Sequence, residues 1–349
     1  MSWPVFWTKK TWRTRLLWPL SKVVSWEATR RLKNFNQLPP AKQTLAKVIV
    51  VGNLVVGGSG KTPFIIWLTR QLQARGLKVG IISRGYGGQS NSWPLLVTAE
   101  SDPSQVGDEP VLLAKQLGCS IAVSPKRPEA IRLLNDTESL DVIISDDGLQ
   151  HYALARDIEV VLIDSQRQFG NGLCLPAGPL REPLARLQHV NLCVWNGLDE
   201  QADFPISKDI QPFQYRMSLR PLRLRQVKNP EKVIAIRPDF SNDLPFNGEE
   251  VNTIAGIGNP NRFFETLEAL GFDVCSKAFA DHHDFQLKDF QVFGDEKRLL
   301  MTEKDAVKCF ELAKRYQKDN WWYLEVAPSC DEALLTQVLK LLSTESLNE

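Results

Sequence analysis

The sequence predicts an α/β fold, in which a mostly parallel sheet flanked by helices is joined through a β-hairpin linker to a smaller C-terminal α/β domain. Two observations predict it. From residue 46 onwards, short apolar runs alternate with segments of helical periodicity, which is the pattern of strand–helix–strand units. The strands are apolar at nearly every position, as expected where a parallel sheet is covered by helices on both faces.

The first α/β domain is predicted over residues 41–207. Its strands are expected at 46–54, 78–83, 120–124, 141–145, 158–164 and 190–195, and its helices at 61–76, 109–118 and 128–135. Pro63 near the start of the first helix and Gly76 at its end are typical helix limits.

The linker and the second domain are predicted over residues 208–349. Residues 214–227 alternate apolar and basic side chains, and this period of two indicates an exposed hairpin or linker strand. A second α/β pattern follows at 251–272, 298–313 and 321–328. We therefore expect the domain boundary near residue 207.

The N-terminal segment, residues 1–40, is basic and rich in tryptophan. It holds five of the ten tryptophans and eight Lys or Arg residues against the single acid Glu27. The pattern indicates a helix with a basic and an apolar side, which Pro19 is expected to kink or interrupt. Packing of the apolar side onto the protein's own core is one interpretation. Tryptophan combined with basic residues favours the other, contact with a membrane surface.

Composition excludes several classes of protein. With 43% hydrophobic and 24% charged residues, the chain can bury an ordinary core. A net charge of +1 argues against a nucleic-acid partner, and no obligate protein partner is evident. The six cysteines lack metal-binding spacing, which favours buried thiols in a reducing compartment. There is neither a signal peptide nor an apolar run of about 18 residues, so we expect the cytosol or a membrane surface facing it.

The stretch VVGGSGKTP, residues 55–63, predicts a phosphate-binding loop. The usual spacing G-x-x-x-x-G-K-[ST] has a glycine where this chain has Val55, and a structural turn is the alternative interpretation. The predicted strand, glycine-rich turn and helix occur in the required order. The backbone of Gly57, Gly58, Ser59 and Gly60 would then surround the phosphates of a nucleotide. Lys61 would bind the β- and γ-phosphates, and the Thr62 hydroxyl would ligate Mg²⁺.

Acidic residues stand at two further sites of this domain. Asp146 and Asp147 follow the apolar strand 141–145, where carboxylates could hold Mg²⁺ next to a phosphate loop; a turn at Asp-Gly is the alternative. Asp108, in VGDEP, is either a helix N-cap or a general base that takes a proton from an attacking hydroxyl.

Two other motifs carry candidate substrate-binding residues. In SRGYGG, residues 83–88, Arg84 and Tyr86 lie in a loop after a strand, where an arginine could bind a phosphate and a tyrosine could stack on a sugar. FADHHDF, residues 279–285, holds His282 and His283. Because no cysteine or further histidine lies nearby, we do not expect a metal site here. A polar surface cluster is the simpler interpretation of this pair.

Taken in order along the chain, these motifs resemble the tetraacyldisaccharide 4′-kinase family, the lipid A 4′-kinases of Gram-negative bacteria. The resemblance rests on VGNLVVGGSGKTP (51–63), SRGYGG (83–88), VGDEP (106–110), SDDGLQH (145–151), LPAGPLREP (175–183), FADHHDF (279–285) and TEKDAVK (302–308). A variant residue at the first glycine of the loop is also typical of that family, so Val55 fits it.

The resemblance implies a P-loop NTPase-like core that transfers the γ-phosphate of ATP to the 4′-hydroxyl of a tetraacylated glucosamine disaccharide 1-phosphate, forming lipid IVA in lipid A biosynthesis. It implies ATP and Mg²⁺ as cofactors. It also implies residence at the cytoplasmic face of the bacterial inner membrane, peripherally or anchored by the N-terminal segment.

Site residues follow from the resemblance position by position. The phosphates and Mg²⁺ are assigned to Lys61 and Thr62, the metal site to Asp146 and Asp147, the base to Asp108 and its support to His282, and the region of the lipid headgroup to Arg84, Tyr86 and His151. His283 remains an alternative to His282. Asp147 and Lys61 are also expected to take part in catalysis.

Two other functions remain as alternatives. A soluble small-molecule P-loop kinase would not need the N-terminal segment, so deleting residues 1–30 would separate the two kinases. A membrane-associated nucleotide switch would hydrolyse slowly, have no lipid acceptor and tolerate loss of Asp108. The guanine-specific motif [NT]-K-x-D is absent from the sequence, and TEKD, residues 302–305, is only similar to it.

Overall fold

The structure, a computed structural model, describes residues 3–206, 212–236, 246–281 and 283–343. The chain divides into two compact units. The larger contains Trp3–Ser218 together with the chain from Pro328 onwards, and the smaller contains Leu219–Ala327. The first change from one unit to the other falls between Ser218 and Leu219. The C-terminal helix groups with the larger unit, because the smaller unit ends at Ala327. The functional division into residues 1–40, 41–207 and 208–349 stays a prediction.

The larger unit is built on an open, mostly parallel sheet. Its strands are β1 (Lys47–Gly52), β2 (Val79–Ser83), β3 (Leu95–Val97), β4 (Ile121–Val123), β5 (Val142–Asp146), β6 (Ile158–Asp164), β7 (Leu192–Asn196) and the first residues of β8 (Phe213–Gln226). They lie in the order β3-β4-β2-β5-β1-β6-β7-β8, and only β3 runs antiparallel to its neighbour β4. The predicted fold class is confirmed.

Helices cover this sheet. They are α1 (Val5–Thr8), α2 (Trp12–Gln37), α3 (Lys61–Gln73), α4 (Pro103–Val106), α5 (Asp108–Gln116) and α6 (Arg127–Thr137), with α10 (Glu332–Ser343) at the end of the chain. The helices α3 and α6 bury apolar residues such as Phe64, Leu68 and Ile131 against the strands. The strands themselves are buried along almost their whole length, because both faces of the sheet are covered.

The order of the strands indicates where on the sheet a ligand would bind. After β1 the chain moves to one side of the sheet, to β2, and after β5 it crosses to β6 on the other side of β1. Ligands of open α/β sheets bind beyond the carboxyl ends of the strands at such a reversal. The glycine-rich loop follows β1, and Asp146 ends β5. Both motifs therefore lie at the same edge of the sheet, beyond the carboxyl ends of its strands.

The smaller unit repeats the α/β principle on a reduced scale. Its elements are β9 (Val233–Ala235), β10 (Glu250–Ala255), α7 (Pro260–Ala269), β11 (Asp273–Ala278), α8 (Leu287–Phe290), β12 (Leu299–Thr302), α9 (Glu303–Arg315) and β13 (Trp321–Cys330), the last of which extends past its boundary. The parallel strands lie in the order β11-β10-β12-β13. The later part of β8 pairs antiparallel with β9, so the predicted hairpin is formed there.

The N-terminal segment forms a long helix. Pro19 lies inside α2 and does not interrupt it. It sits on the exposed side, where water can hydrogen-bond the carbonyl that loses its N–H partner. The segment is tied to the core by polar groups: the indole of Trp3 donates to the carbonyl of Val56 at 3.1 Å, and the hydroxyl of Ser21 donates to the carbonyl of Cys174 at 2.8 Å.

Candidate active site

The glycine-rich loop between β1 and α3 adopts a conformation that its glycines make accessible. Gly57 and Gly60 have φ angles of 100° and 91°, in the left-handed region that disfavours other residues. Space is a second constraint at Gly60, since a Cβ there would lie 2.4 Å from Nδ2 of Asn196. The loop is further fixed by two amide side chains. Asn53 donates to the carbonyl of Gly57 at 2.9 Å, and Asn196 donates to that of Ser59 at 3.1 Å.

Val55 has a structural reason to differ from glycine. Its side chain is 4% exposed and belongs to the core, and its backbone forms an antiparallel bridge with Leu180. The neighbouring amide of Val56 donates to the carbonyl of Pro179 at 3.0 Å. This position therefore joins the loop to the LPAGPLREP segment, where a buried β-branched side chain contributes packing that glycine lacks.

Asp147 is held between two cations just after β5. Its carboxylate lies 3.4 Å from Nζ of Lys61, and Nη1 of Arg181 donates to both of its oxygens at 3.0 and 2.8 Å. Burial alone would raise the pKa of Asp147, but Lys61 and Arg181 outweigh it and hold the pKa well below its usual range. Its backbone is left-handed, with φ of 47°, a conformation that Asp tolerates better than most residues.

Asp146 has the opposite electrostatic character. It is 2% exposed and accepts a hydrogen bond from the Ser83 hydroxyl at 3.2 Å. Burial, followed by the charge of nearby Glu109, raises the pKa of Asp146 to about 7 although Lys61 opposes the shift. Two adjacent carboxylates at one strand end thus differ in the ease with which they ionise.

Arg127, at the start of α6, hydrogen-bonds the backbone carbonyls of both acids. It is 2% exposed and donates from Nη2 to the carbonyl of Asp146 at 2.8 Å and from Nη1 to that of Ser124 at 3.3 Å. Burial lowers its pKa to about 10. The guanidinium fixes the backbone at the end of β5, directly before the left-handed Asp147.

Asp108 lies at the start of α5, as the first helical residue after Gly107 rather than as the N-cap. It is 6% exposed, and its Oδ1 accepts the amide of Glu109 at 3.0 Å. Its loop packs closely on SRGYGG, since a Cβ on Gly107 would lie 2.6 Å from the carbonyl of Tyr86. The structure thus brings two predicted motifs together.

The remaining predicted residues surround this edge. Arg84 and Tyr86 are exposed and His151 is half-buried. Burial, followed by the charges of Arg127, Arg156 and Arg84, lowers the pKa of His151 to about 4. Thr62 is the second residue of α3, half-buried next to Lys61. The prediction for His282 falls outside the described residues.

Three contributing residues had no predicted role. Arg181 lies within LPAGPLREP, which was identified only as a motif, whereas Arg127 and Asn196 belong to no motif that we identified. A basic residue beside a proline-rich turn is a weak signal, and an Arg at the start of a helix reads as a surface residue. Their contacts join residues 19 to 137 positions apart in the sequence.

Comparison with known proteins identifies the family. Residues 13–343 match the family described as tetraacyldisaccharide-1-P 4′-kinase. A tetraacyldisaccharide 4′-kinase of Hydrogenovibrio crunogenus is 53% identical over 345 residues, covering 98% of both chains. One from Hahella chejuensis is 43% identical, covering 96% of both.

A solved structure agrees with the sequence comparison. The crystal structure of LpxK from Aquifex aeolicus in complex with ATP has a TM-score of 0.74 to this chain at 27% identity. The match covers 94% of this chain and 99% of that one. With an extensive family match, close relatives and a shared fold, this chain belongs to the tetraacyldisaccharide-1-P 4′-kinase family.

Proposed function

We propose that this kinase transfers the γ-phosphoryl group of ATP to the 4′-hydroxyl of a tetraacylated glucosamine disaccharide 1-phosphate. The bond from Pγ to the acceptor oxygen forms, the bond to the β–γ bridging oxygen breaks, and ADP leaves. The observation that carries the proposal is the contact of Lys61 with Asp147 beside the glycine-rich loop, in a chain of this family. It unites a phosphate-binding cation with a carboxylate suited to a metal.

The nucleotide phosphates are assigned to the loop and to the start of α3. The backbone from Gly57 to Gly60 and the positive end of the helix favour an anion. Lys61 would bind the β- and γ-phosphates, and its ion pair with Asp147 would be replaced by the phosphates and the metal. The ion pair with Asp147 thus holds the lysine in place before ATP binds.

Mg²⁺ is assigned to Thr62, Asp146 and Asp147. These groups supply the oxygen ligands that Mg²⁺ prefers, and waters and phosphates complete its coordination in kinases. The fit has a specific sign: Oδ1 of Asp146 is buried without a hydrogen-bond partner among the residues that the structure describes. The described residues hold no group of three His, Cys, Asp or Glu suited to a metal. When bound, the ion would neutralise phosphate charge.

Asp108 is the proposed general base. It would accept the proton of the acceptor hydroxyl as the oxygen attacks phosphorus. Its burial at the start of α5 keeps the carboxylate in one place, and its contact with the SRGYGG loop supports a position near the acceptor. His282 would support this base, as the family resemblance implies.

The acceptor headgroup is assigned to Arg84, Tyr86 and His151. A cavity of about 640 Å³ opens between the last turns of α2 and the loop that carries His151. Its walls are polar and aromatic, with Arg31, Phe35 and Tyr152 among them. Nε2 of His151 is buried and lacks a hydrogen-bond partner within the described part of the chain. A sugar hydroxyl or a phosphate would provide one.

The cytoplasmic face of the inner membrane is the proposed location. Helix α2 buries only Thr14 and Ser21, whereas Trp12, Leu16, Leu20, Val23 and Trp26 are each more than half exposed. Apolar and basic side chains on the solvent side suit an interface of acyl chains and anionic headgroups. No helix in the described ranges is long and apolar enough to cross a bilayer.

Transfer of ³²P from γ-labelled ATP into the disaccharide 1-phosphate lipid, in detergent micelles, tests the proposal. Wild type should label the lipid, Lys61→Ala should abolish labelling, and Asp108→Ala should reduce it by about 100-fold or more. Lys126→Ala, at a side chain that is 79% exposed, is the matched control and should keep full activity. Folded wild type that binds ATP but labels no lipid would refute the proposal.

A further inference from the structure

His283 is fully engaged within the smaller unit. Its Nε2 lies 3.0 Å from Oδ2 of Asp289, at the start of α8. Its ring packs against two phenylalanines, with centroids 4.7 Å from Phe279 and 4.9 Å from Phe285. Burial alone would raise the pKa of Asp289, but the Gln286 amide and His283 outweigh it and lower that pKa. The side chain is therefore committed to holding residues 279–281 and 283–285, which we term the histidine loop.

Helix α9 holds the same loop through two lysines of TEKDAVK. Nζ of Lys308 donates to the carbonyl of His283 at 3.2 Å, and Nζ of Lys304 lies 3.6 Å from Oδ1 of Asp281. The two lysines are four residues apart, so they project from one face of the helix. They contact the residues directly before and after His282.

Asp305, from the same motif, fixes the helix itself. It is fully buried, and its Oδ2 accepts the Thr302 hydroxyl at 2.6 Å and the Gly256 amide at 3.0 Å. Gly256 allows the histidine loop to approach, because a Cβ there would lie 3.3 Å from the carbonyl of Ala280 and 3.0 Å from Asp305. The end of β10, the start of α9 and the loop are thus one packed arrangement.

We propose that Lys304, Lys308 and Asp289, with His283, are positioning residues that fix the backbone on both sides of His282. His283 is then the anchoring histidine, and His282 is the one left to act on the reaction. The inference rests on the proposed function, in which His282 supports Asp108. It gives TEKDAVK a role: the motif contacts neither nucleotide nor acceptor in this account and acts through the loop.

Fixing the loop matters for rate rather than for binding ATP. A supporting group that is displaced by about 1 Å can cost about 100-fold in rate. Loss of a contact made only in the transition state lowers kcat and leaves KM unchanged. Loosening the loop should therefore reduce kcat and spare the KM for ATP.

Two variants, compared with a matched control, test this in the full-length kinase. His283→Phe keeps the ring packing and loses the bond to Asp289, while Lys308→Met keeps the aliphatic stem and loses the bond to the loop carbonyl. Each should lower kcat by about 10- to 100-fold, with the KM for ATP changed by less than about 2-fold. Lys318→Met, which breaks an ion pair with Asp295 elsewhere in the same unit, is the matched control and should retain the wild-type kcat.

A double-mutant cycle separates positioning from chemistry. If His283 acts through His282, then His282→Ala/His283→Phe should be no slower than His282→Ala alone, because the energies of coupled residues do not add. Additive losses would overturn the inference, and so would full activity in His282→Ala. If wild type labels the lipid and Lys61→Ala does not, but His283→Phe and Lys308→Met both keep the wild-type kcat, the positioning inference fails and the proposed function stands.

Discussion

Arg181 clamps Asp147: one nitrogen of its guanidinium donates to both carboxylate oxygens, at 3.0 and 2.8 Å. The same carboxylate faces Lys61 across 3.4 Å. Arg181 belongs to the LPAGPLREP segment. Its backbone amide donates to the carbonyl of Leu54, directly before the glycine-rich loop, at 2.7 Å. The clamp thus ties the acid at the end of β5 to the loop after β1.

Replacing Arg181 should impair phosphoryl transfer without unfolding the protein. Arg181→Met removes the donor that holds Asp147, so we expect kcat to fall by about 100-fold, the scale seen for one charge-stabilising donor. Arg181→Lys should recover only part of this loss, because the flexible lysine side chain holds its ammonium group in place less firmly than a planar guanidinium holds its nitrogens. Arg70→Met, which loses a surface bond to Gln116, is the control for steady-state kinetics. Unchanged kcat in Arg181→Met would refute the clamp's importance.

Restoring the usual glycine at residue 55 should weaken the fold rather than improve ATP binding. Val55→Gly deletes a buried side chain and adds backbone entropy to the unfolded chain, so we expect a loss of about 2–4 kcal/mol in the free energy of unfolding. The KM for ATP should stay close to that of wild type, since Gly57 and Gly60 keep the loop conformation. Urea denaturation and ATP titration measure the two effects, with Val55→Ala as the intermediate case. A changed KM with unchanged stability would contradict this account.

The sequence was sufficient for those parts of the fold and site that depend on local pattern. Apolar runs predicted the main strands of the larger sheet because both of its faces are buried, and the order strand–turn–helix predicted the loop that carries Lys61. The short edge strand β3 and the single-turn α4 were missed, since three or four residues give no periodicity to detect.

The supporting arginines could not be predicted for a different reason. Arg127 and Arg181 reach the end of β5 from 19 and 34 residues away, and only the tertiary fold brings them there. The replacement of the usual glycine by Val55 could not be explained from the sequence either, because its reason is the backbone bridge to the distant Leu180. The sequence predicts the groups assigned to the nucleotide, whereas the groups that hold them in place become visible in the packing.

Mg²⁺ binding should strengthen as the pH rises through about 7. The pKa of Asp146 is raised to about 7 by burial and by Glu109, so its proton competes with the metal below that pH and is lost above it. In the metal-free protein the same shift has the opposite sign for folding: the protonated form stabilises the fold, and this stabilisation declines as pH rises from about 4 to 7.

Calorimetric titration of the ATP-loaded protein with Mg²⁺ at pH 6, 7 and 8 tests this expectation. Affinity should rise with pH up to about 7 and then level off, and Asp146→Asn should bind Mg²⁺ weakly with little pH dependence, because it cannot ionise. Both proteins experience the same pH dependence of ATP itself, so the difference between their two profiles is free of it. Equal pH profiles for wild type and Asp146→Asn would show that this carboxyl does not control metal binding.

Removing the exposed apolar side chains of α2 should release the kinase from membranes while its core stays folded. Trp12, Leu16 and Trp26 are 65–69% exposed, so replacing all three by Ser costs little packing and removes their burial in an interface. We expect binding to phosphatidylglycerol–phosphatidylethanolamine vesicles, measured by co-sedimentation, to fall at least about 10-fold. The control replaces Leu96, Val292 and Tyr316, which are exposed on other elements, by Ser and should bind like wild type. Equal loss in both variants would mean that vesicle binding follows general surface hydrophobicity; a loss confined to α2 identifies the helix as the membrane contact.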